Sequence, residues 1–245
     1  MDWNNKNQVM VKLEEKGFNL EFVSDTLKDD FEVVMEAVKN WGWNLQFASD
    51  RLKDNEEIVR KAVKKTEGYA IKYASERLKK NENIALEVIS YRGGENYMFI
   101  SEDLKKDRRF TKEVLQENWW CLQYVSEEFK NDKELVMIAF ENDPDTLEYS
   151  SDKLKDDKEF ILDRIEDFDW TLQYASDRLK DNKEVVLKTL KKNGYVLEVV
   201  SDRLKNDPEV VLEAVKTDCG AFKFAGDKIK EQFPTIEDFY DKKNN

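Results

Sequence analysis

Residues 20–34 read Leu-Glu-Phe-Val-Ser-Asp-Thr-Leu-Lys-Asp-Asp-Phe-Glu-Val-Val, and relatives of this phrase recur along the chain of 245 residues. The serine returns every 25 or 26 residues, followed at once by an acid and four residues later by a lysine. A period of this length is typical of stacked-repeat proteins. The serine column comprises Ser24, Ser49, Ser75, Ser101, Ser126, Ser151, Ser176 and Ser201, with Gly226 in the ninth copy.

Each copy carries two apolar patterns with helical spacing. In the first copy Leu20, Val23 and Leu27 stand at i, i+3 and i+7, and Val33, Val34, Ala37 and Val38 form the second pattern after an Asp-Asp helix start. A glycine follows the second pattern in several copies, where a left-handed stop favours glycine; these are Gly17, Gly42, Gly68, Gly94 and Gly194. The sequence therefore predicts an all-α fold, an α-solenoid of about nine 25-residue repeats, curved or superhelical, with two helices of about ten residues in each repeat.

The uninterrupted period predicts one continuous repeat domain over residues 1–245. Residues 1–17 are expected to form an N-terminal half-repeat cap, because Val9 and Leu13 continue the second apolar pattern. Residues 18–230 hold the repeats. Residues 231–245 form a C-terminal cap and tail, in which Thr235 and Asp238 offer a capping box.

Composition narrows the classes of protein. The net charge is −12, so attraction to nucleic acid or to anionic membranes is not expected. No apolar run is long enough to cross a membrane, and the first residues lack a signal-peptide pattern. Cys121 and Cys219 lie nearly four repeats apart, which predicts free thiols. A cytoplasmic monomer is expected.

The sequence contains no histidine, which excludes Ser-His-Asp triads, Cys-His pairs and the usual zinc-hydrolase helices. No phosphate-binding loop follows the Gly93-Gly94 pair. Carboxylates are so abundant that no chosen pair of them is informative. We therefore expect no catalytic residue, no metal and no cofactor.

The recurring acids and lysines are expected to form a solvated structural face. Acid and lysine stand three residues apart, as neighbours on a helix, and stacking brings them near the charges of the next copy. The repeat serine is expected to be a small residue at a helix crossing or a local backbone cap. An aromatic column is expected to pack in the core or between repeats; it comprises Phe18, Trp43, Tyr69, Trp120, Trp170 and Tyr195.

Positions where copies break the pattern are the candidate binding residues. Trp41 and Phe168 replace polar residues and Trp119 replaces the stop glycine, so these rings are expected to be more exposed. The alternative is a local change of turn with the ring folded onto a neighbouring repeat. The fourth copy has an insertion around Tyr91 and Arg92, and Arg108 and Arg109 replace the usual acidic helix start. The predicted partner-binding set is Trp41, Tyr91, Arg92, Arg108, Arg109, Trp119 and Phe168.

A second departure is acidic. Negative charge concentrates at Glu159, Asp163, Glu166, Asp167 and Asp169, with Arg164 at a normally apolar position. This cluster would suit a basic partner, although the sequence favours a solvated face.

The phrase at residues 20–34, with its relatives at 172–186 and 197–211, resembles the bacterial and protist repeat family catalogued as domain of unknown function 4116. The resemblance covers nearly the whole chain. It implies an all-helical repeat array, sometimes found in proteins that bacteria direct at other cells, and it carries no catalytic or binding residues to transfer. The fourth, fifth and sixth copies depart from the family pattern, with Trp119, Pro144 and Asp169 at the glycine site of their neighbours.

Three functional hypotheses follow. The first is a non-catalytic scaffold or adaptor that binds a protein or peptide on one face of the solenoid. The second is a neutralising partner of a basic protein, either of the antitoxin or immunity type or a nucleic-acid mimic. The third, a remote one, is an enzyme that uses carboxylates alone.

Overall fold

The computed structural model of the chain describes residues 2–13 and 20–239. Every regular element within those residues is helical, which confirms the all-α repeat prediction. Each full repeat has three parts in order: a 3-10 helix, a short α-helix that begins after the serine column, and a longer α-helix.

The three kinds of helix recur in the same order along the chain. The 3-10 helices are Leu20–Phe22, Gly42–Phe47, Tyr69–Tyr73, Arg92–Phe99, Trp119–Gln123, Pro144–Tyr149, Asp169–Tyr174, Gly194–Val199 and Cys219–Phe224. The short helices are Asp25–Lys28, Asp50–Lys53, Glu76–Lys79, Glu102–Lys105, Glu127–Lys130, Asp152–Lys155, Asp177–Lys180, Asp202–Lys205 and Asp227–Gln232. The long helices are Lys6–Leu13, Phe31–Asn40, Glu56–Lys65, Glu82–Ile89, Arg108–Glu117, Lys133–Asn142, Lys158–Asp167, Lys183–Leu190 and Pro208–Thr217.

The prediction that each repeat begins with one continuous helix of about ten residues is wrong, because the serine interrupts that helix. Ser49 has an extended backbone (φ −61°, ψ 159°), and its hydroxyl accepts a hydrogen bond from the backbone N–H of Leu52 at 3.3 Å. This is the geometry of a helix N-cap. The apolar segment before the serine is thereby confined to a 3-10 helix. Side-chain caps of this kind occur at Ser49, Ser75, Ser101, Ser126, Ser151, Ser176 and Ser201.

A left-handed glycine stop after the long helix is confirmed at Gly68, which has a φ of 96°. Gly94 has a φ of 71° but lies inside the 3-10 helix Arg92–Phe99, five residues beyond the end of Glu82–Ile89. Gly42 and Gly194 instead begin 3-10 helices without a positive φ. Gly17 lies outside the described residues.

The chain divides into two compact units, Met1–Asn142 and Asp143–Asn245. Within the first unit the long helix Phe31–Asn40 contacts both Glu56–Lys65 and the 3-10 helix Gly42–Phe47. Within the second unit Lys183–Leu190 contacts Pro208–Thr217 in the same manner. The single domain over residues 1–245 stays a prediction.

The two ends of the described array show local packing and capping, and their assignment as caps stays a prediction. Val9 and Leu13 of Lys6–Leu13 are buried, and this helix packs against Phe31–Asn40. At the other end the Thr235 hydroxyl donates to the Asp238 carboxylate at 2.8 Å, and the Asp238 N–H donates back to the Thr235 hydroxyl at 3.1 Å. This capping box precedes the buried Phe239.

Both cysteines are free thiols, as predicted. Cys121 is buried, and burial raises the pKa of its thiol to about 12. Cys219 is exposed.

A polar clamp joins each of several repeats to the one before it. At the second serine, the Ser49 hydroxyl donates to the carboxylate of Asp29, and Nε of Arg51 donates to the same carboxylate at 3.0 Å. The Ser49 N–H donates to the carbonyl oxygen of Lys28 at 2.9 Å. Side chain and backbone therefore fix the same register between neighbours. Further clamps of this kind are Ser75 with Asp54 and Arg77, Ser176 with Asp156 and Arg178, and Ser201 with Asp181 and Arg203.

The clamp keeps its charge complementarity where its residue types are exchanged. In the fourth copy Lys80 stands at the aspartate position and Asp103 at the arginine position. Their ammonium and carboxylate groups lie 2.6 Å apart. Acid–lysine pairs within one repeat, which the sequence predicted, are also present, as between Lys79 and Glu76 at 2.9 Å.

The clamps predict how stability depends on pH. Hydrogen bonds lower the pKa of each clamp aspartate, from serine first and arginine next at Asp29, Asp54 and Asp181, and from arginine first at Asp156. A carboxyl whose folded pKa is lowered stabilises the fold above the unfolded pKa of about 3.9 and loses that effect as pH falls through the folded value. We expect the urea concentration at the midpoint of unfolding to decrease once the pH drops below about 4. The difference between wild type and Asp181→Asn should shrink on acidification; a constant difference would contradict this role.

The ninth copy replaces the clamp by a different contact. Gly226 stands in the serine column, and the side-chain carbonyl of Asn206 accepts a hydrogen bond from the backbone N–H of Lys228 at 3.0 Å. A Cβ added to Gly226 would lie 2.3 Å from Cγ of Asn206. The Asn206 side chain therefore fills the space of the missing serine.

This exchange predicts a compensating pair of substitutions. Gly226→Ser alone should lower the free energy of unfolding by about 1 kcal/mol, because the new side chain collides with Asn206. Adding Asn206→Asp should restore stability by rebuilding the serine–aspartate contact of the other clamps. Thermal unfolding of both variants measures this, and a double variant no more stable than the single one would refute the exchange.

Candidate interaction surface

Aromatic side chains of the 3-10 helices touch one another across successive repeats of the first unit. The ring centroids of Trp43 and Tyr69 lie 6.2 Å apart, those of Trp43 and Tyr73 lie 6.3 Å apart, and those of Tyr69 and Phe99 lie 6.2 Å apart. All four rings are half-buried. The next 3-10 helix, Trp119–Gln123, packs on Arg92–Phe99 and carries the exposed Trp120. We call Trp43, Tyr69, Tyr73, Phe99 and Trp120 the aromatic strip.

Polar partners hold the strip in place from its edges. The Tyr69 hydroxyl donates a hydrogen bond to the Glu95 carboxylate, and that bond raises the pKa of the Tyr69 phenol. The ammonium of Lys72 lies 5.0 Å from the Trp43 ring centroid and 4.8 Å from that of Tyr73. A cation at this distance is attracted to the face of an aromatic ring. The rings are thus fixed in orientation while part of their surface stays in solvent.

The motif recurs in the second unit. Tyr195 and Phe224 stand at the same positions of successive repeats as Tyr69 and Phe99, and their centroids lie 6.0 Å apart. The ammonium of Lys223 lies 5.0 Å from the Tyr195 ring centroid and 4.6 Å from that of Phe224. The arrangement is therefore a property of the repeat.

The sequence prediction of packing between repeats is correct for Trp43 and Tyr69, but it missed the surface that these rings form. The signal was a second aromatic four residues after the column position, at Phe47, Tyr73 and Phe99, although Glu95 holds the column position before Phe99. Ring contacts join the first position of one repeat to the second position of the next.

The relative exposure predicted for the two neighbouring tryptophans is wrong. Trp120, which was assigned to packing, is 36% exposed, whereas the off-pattern Trp119 is half-buried. The indole N–H of Trp119 is buried without a hydrogen-bond partner in the described part of the chain. Trp119 is therefore the ring that turns inward, since it takes the place of the glycine that starts other repeats.

The other predicted aromatic residues differ in exposure. Trp41 is 41% exposed at the turn after Phe31–Asn40. Tyr91 is half-buried, packs against the core, and has a phenol pKa raised by burial. Phe168 is half-buried in the second unit. The side chain of Arg92 lies outside the described residues.

The two predicted arginines are bound to carboxylates of neighbouring repeats and, for Arg109, also of their own helix. Nε of Arg108 lies 2.7 Å from the Asp132 carboxylate, and its Nη2 lies 2.5 Å from that of Glu134. Arg109 pairs with Glu82 at 2.7 Å and with Glu113 at 2.9 Å. These contacts offset the unfavourable charge of two arginines at a helix start.

The ion pairs of Arg108 have counterparts at two lysines that were not among the predicted binding residues. Lys6 reaches Asp30 and Glu32, and Lys183 reaches Asp207 and Glu209, in the same positions of other repeats. Arg108 and Trp119 stand at opposite ends of the ten-residue helix Arg108–Glu117, which is about 15 Å long. The predicted set is therefore spread over several places, and its role in partner binding stays a prediction.

The predicted acidic cluster is largely paired within the second unit. Glu166 contacts the ammonium groups of Lys188 at 3.3 Å and Lys192 at 2.5 Å. Asp167 lies 3.1 Å from the guanidinium of Arg164, which also contacts Asp163. These pairs reduce the charge that the cluster presents to a partner.

Two features are absent among residues 2–13 and 20–239. No group of three or more cysteines, aspartates or glutamates there is arranged to hold a metal ion. None of the described helices is both long and apolar enough to traverse a bilayer.

Comparison with known proteins identifies the repeat. No curated protein and no solved structure matches the chain. The model of the family described as "Domain of unknown function (DUF4116)" matches seven overlapping segments, at residues 5–53, 30–79, 55–105, 81–127, 107–155, 157–202 and 182–230. Each match spans about two of the structural repeats, from one long helix to the short helix two repeats on. These matches cover most of the chain, which therefore belongs to the DUF4116 family.

Proposed function

We propose that the protein is a non-catalytic interaction scaffold that binds an extended peptide segment of a partner protein along the aromatic strip. The observation that carries the proposal is the run of oriented, half-buried rings across three consecutive repeats, ending at the exposed Trp120. Aromatic residues are enriched among those that dominate binding energy at protein interfaces.

The spacing of the rings supports an extended ligand. Centroids of Trp43, Tyr69 and Phe99 follow one another at 6.2 Å. In an extended strand alternate side chains lie on one face at intervals of about 6.6 Å. A peptide with apolar residues at alternate positions would therefore place one side chain on each ring. Met98, which is 52% exposed beside Phe99, offers a flexible apolar contact.

Peptide display on the intact chain tests the proposal. Selected peptides should carry apolar residues at alternate positions, and calorimetry should show that Trp120→Ala or Met98→Glu weakens their binding at least about tenfold. Trp41→Ala is the matched control, since Trp41 is about as exposed but lies outside the strip. Loss of affinity in Trp41→Ala and not in Trp120→Ala would place the footprint on the turns and contradict the strip.

A neutralising role toward a basic protein is the second candidate, and the net charge of −12 supports it. Association driven by that charge should weaken steeply with added salt, whereas apolar contacts to the strip should not. We also propose a cytoplasmic location, because free thiols persist in reducing compartments.

A further inference from the structure

The outer surface of the first unit contains a groove of about 490 Å³ that differs in chemistry from the aromatic strip. Three consecutive long helices form it, Phe31–Asn40, Glu56–Lys65 and Glu82–Ile89. A volume in this range accommodates a small ligand or a few side chains of a peptide. The groove lies on the long helices, whereas the strip lies on the 3-10 helices.

One end of the groove is apolar. Phe31 is 37% exposed there, and Met35 lines the wall beside it. Phe31 begins its helix at a position where other copies have charged residues or proline, such as Glu56, Arg108 and Pro208. Solvent-facing aromatic surface next to a flexible thioether favours an apolar side chain of a partner.

The rest of the groove is positively charged although the whole chain is acidic. Its lining has four cations, Lys39, Arg60, Lys61 and Lys64, against two carboxylates, Glu57 and Glu87. Arg60 is engaged by Glu56 at 2.9 Å and by Glu87, and Lys39 lies 3.3 Å from Glu36. Lys61 and Lys64 form no ion pair or hydrogen bond with any described residue. Two ammonium groups are thus available for a ligand.

One of the two available lysines, Lys61, differs in residue type from the neighbouring copies. Lys61 stands where the neighbouring copies have Glu36, Glu87 and Glu113. Arg60, beside it, stands where the neighbours on either side have Met35 and Leu86. The internal pairs of Arg60 account for its charge, but no internal contact accounts for that of Lys61.

We propose that this groove binds an acidic peptide segment of a partner protein in which an apolar side chain lies among carboxylates. The carboxylates pair with Lys61 and Lys64, and the apolar side chain packs on Phe31 and Met35. Charge complementarity selects the occupant, since a positive groove in a chain of net charge −12 attracts acidic segments locally and repels them elsewhere. The site is separate from the aromatic strip, and either proposal can fail alone.

The test uses the full chain and a fluorescein-labelled peptide in which a single phenylalanine lies among glutamates, so that it lacks the alternating apolar residues expected to bind the strip. Fluorescence anisotropy should show that Lys61→Glu with Lys64→Glu weakens binding at least about tenfold. The matched control is Lys191→Glu with Lys216→Glu, which changes net charge equally and should leave affinity unchanged. Both lysines are exposed in the second unit, Lys191 directly after the helix Lys183–Leu190 and Lys216 within Pro208–Thr217. Trp120→Ala should also leave it unchanged.

Three outcomes would overturn the proposal. Equal loss in the two double variants would mean that only the total charge matters. Equal binding of a peptide containing glutamate without apolar residues would remove the role of Phe31 and Met35. A wild-type dimer that the Lys61→Glu, Lys64→Glu substitutions dissociate, seen by analytical ultracentrifugation, would assign the groove to a second copy of the chain. Circular dichroism of every variant confirms that the helices persist.

Discussion

Replacing Leu179 by alanine is expected to lower the free energy of unfolding by about 2 to 4 kcal/mol. Leu179 is fully buried, and its backbone N–H bonds to the capping hydroxyl of Ser176. Truncation leaves a cavity between repeats that stacked neighbours cannot close without breaking the clamp at the same serine.

The control for this substitution lies next to it. Lys180→Ala should cost less than about 1 kcal/mol, because the Lys180 side chain is partly exposed and its carbonyl bond to Ser201 is retained. Urea denaturation of both variants measures the difference. Similar midpoints would mean that the apolar column of the short helices does not form the core.

Gly194→Ala is expected to destabilise the second unit by about 1 to 3 kcal/mol through close packing. A Cβ at this residue would lie 2.3 Å from the carbonyl oxygen of Ala214 and 3.1 Å from the backbone nitrogen of Asp218. Both atoms belong to the backbone around the end of the next long helix, so the two repeats would have to separate.

Asp169→Ala provides the matched comparison for Gly194. Asp169 begins the preceding 3-10 helix in the same position and already carries a side chain. Its truncation should change the unfolding midpoint little. Equal destabilisation by Gly194→Ala and Asp169→Ala would contradict the close approach of the next helix as the reason for the glycine.

The sequence was sufficient to predict the features that depend on local spacing. The apolar columns are visible within a single copy, and the period appears when the copies are compared. A backbone cap was one of the two roles expected for the serine, and the capping box at Asp238 follows from the same local rules. The division of the first helix was missed because the i, i+3, i+7 pattern of Leu20, Val23 and Leu27 also fits an interrupted segment. The extended backbone of the serine decides between the two.

Features that depend on how repeats stack could not be predicted from one copy. The contact between Asp29 and Arg51 spans 22 residues, and the register that joins them is set by a backbone bond from Ser49 to Lys28. The exposure of Trp120 likewise depends on which ring of the neighbouring repeat covers it. The sequence located the irregular copies but not the surfaces between regular ones.

Hydroxyl-radical footprinting shows which side chains of the aromatic strip a bound peptide covers. The intact chain is oxidised with and without a display-selected peptide, and mass spectrometry measures the oxidation of each side chain. We predict that the peptide protects Met98 and Trp120 while Trp41, which is equally open to solvent in the free chain, is oxidised as before. Protection of Trp41 with unchanged oxidation of Met98 and Trp120 would show that the aromatic strip is not the binding surface.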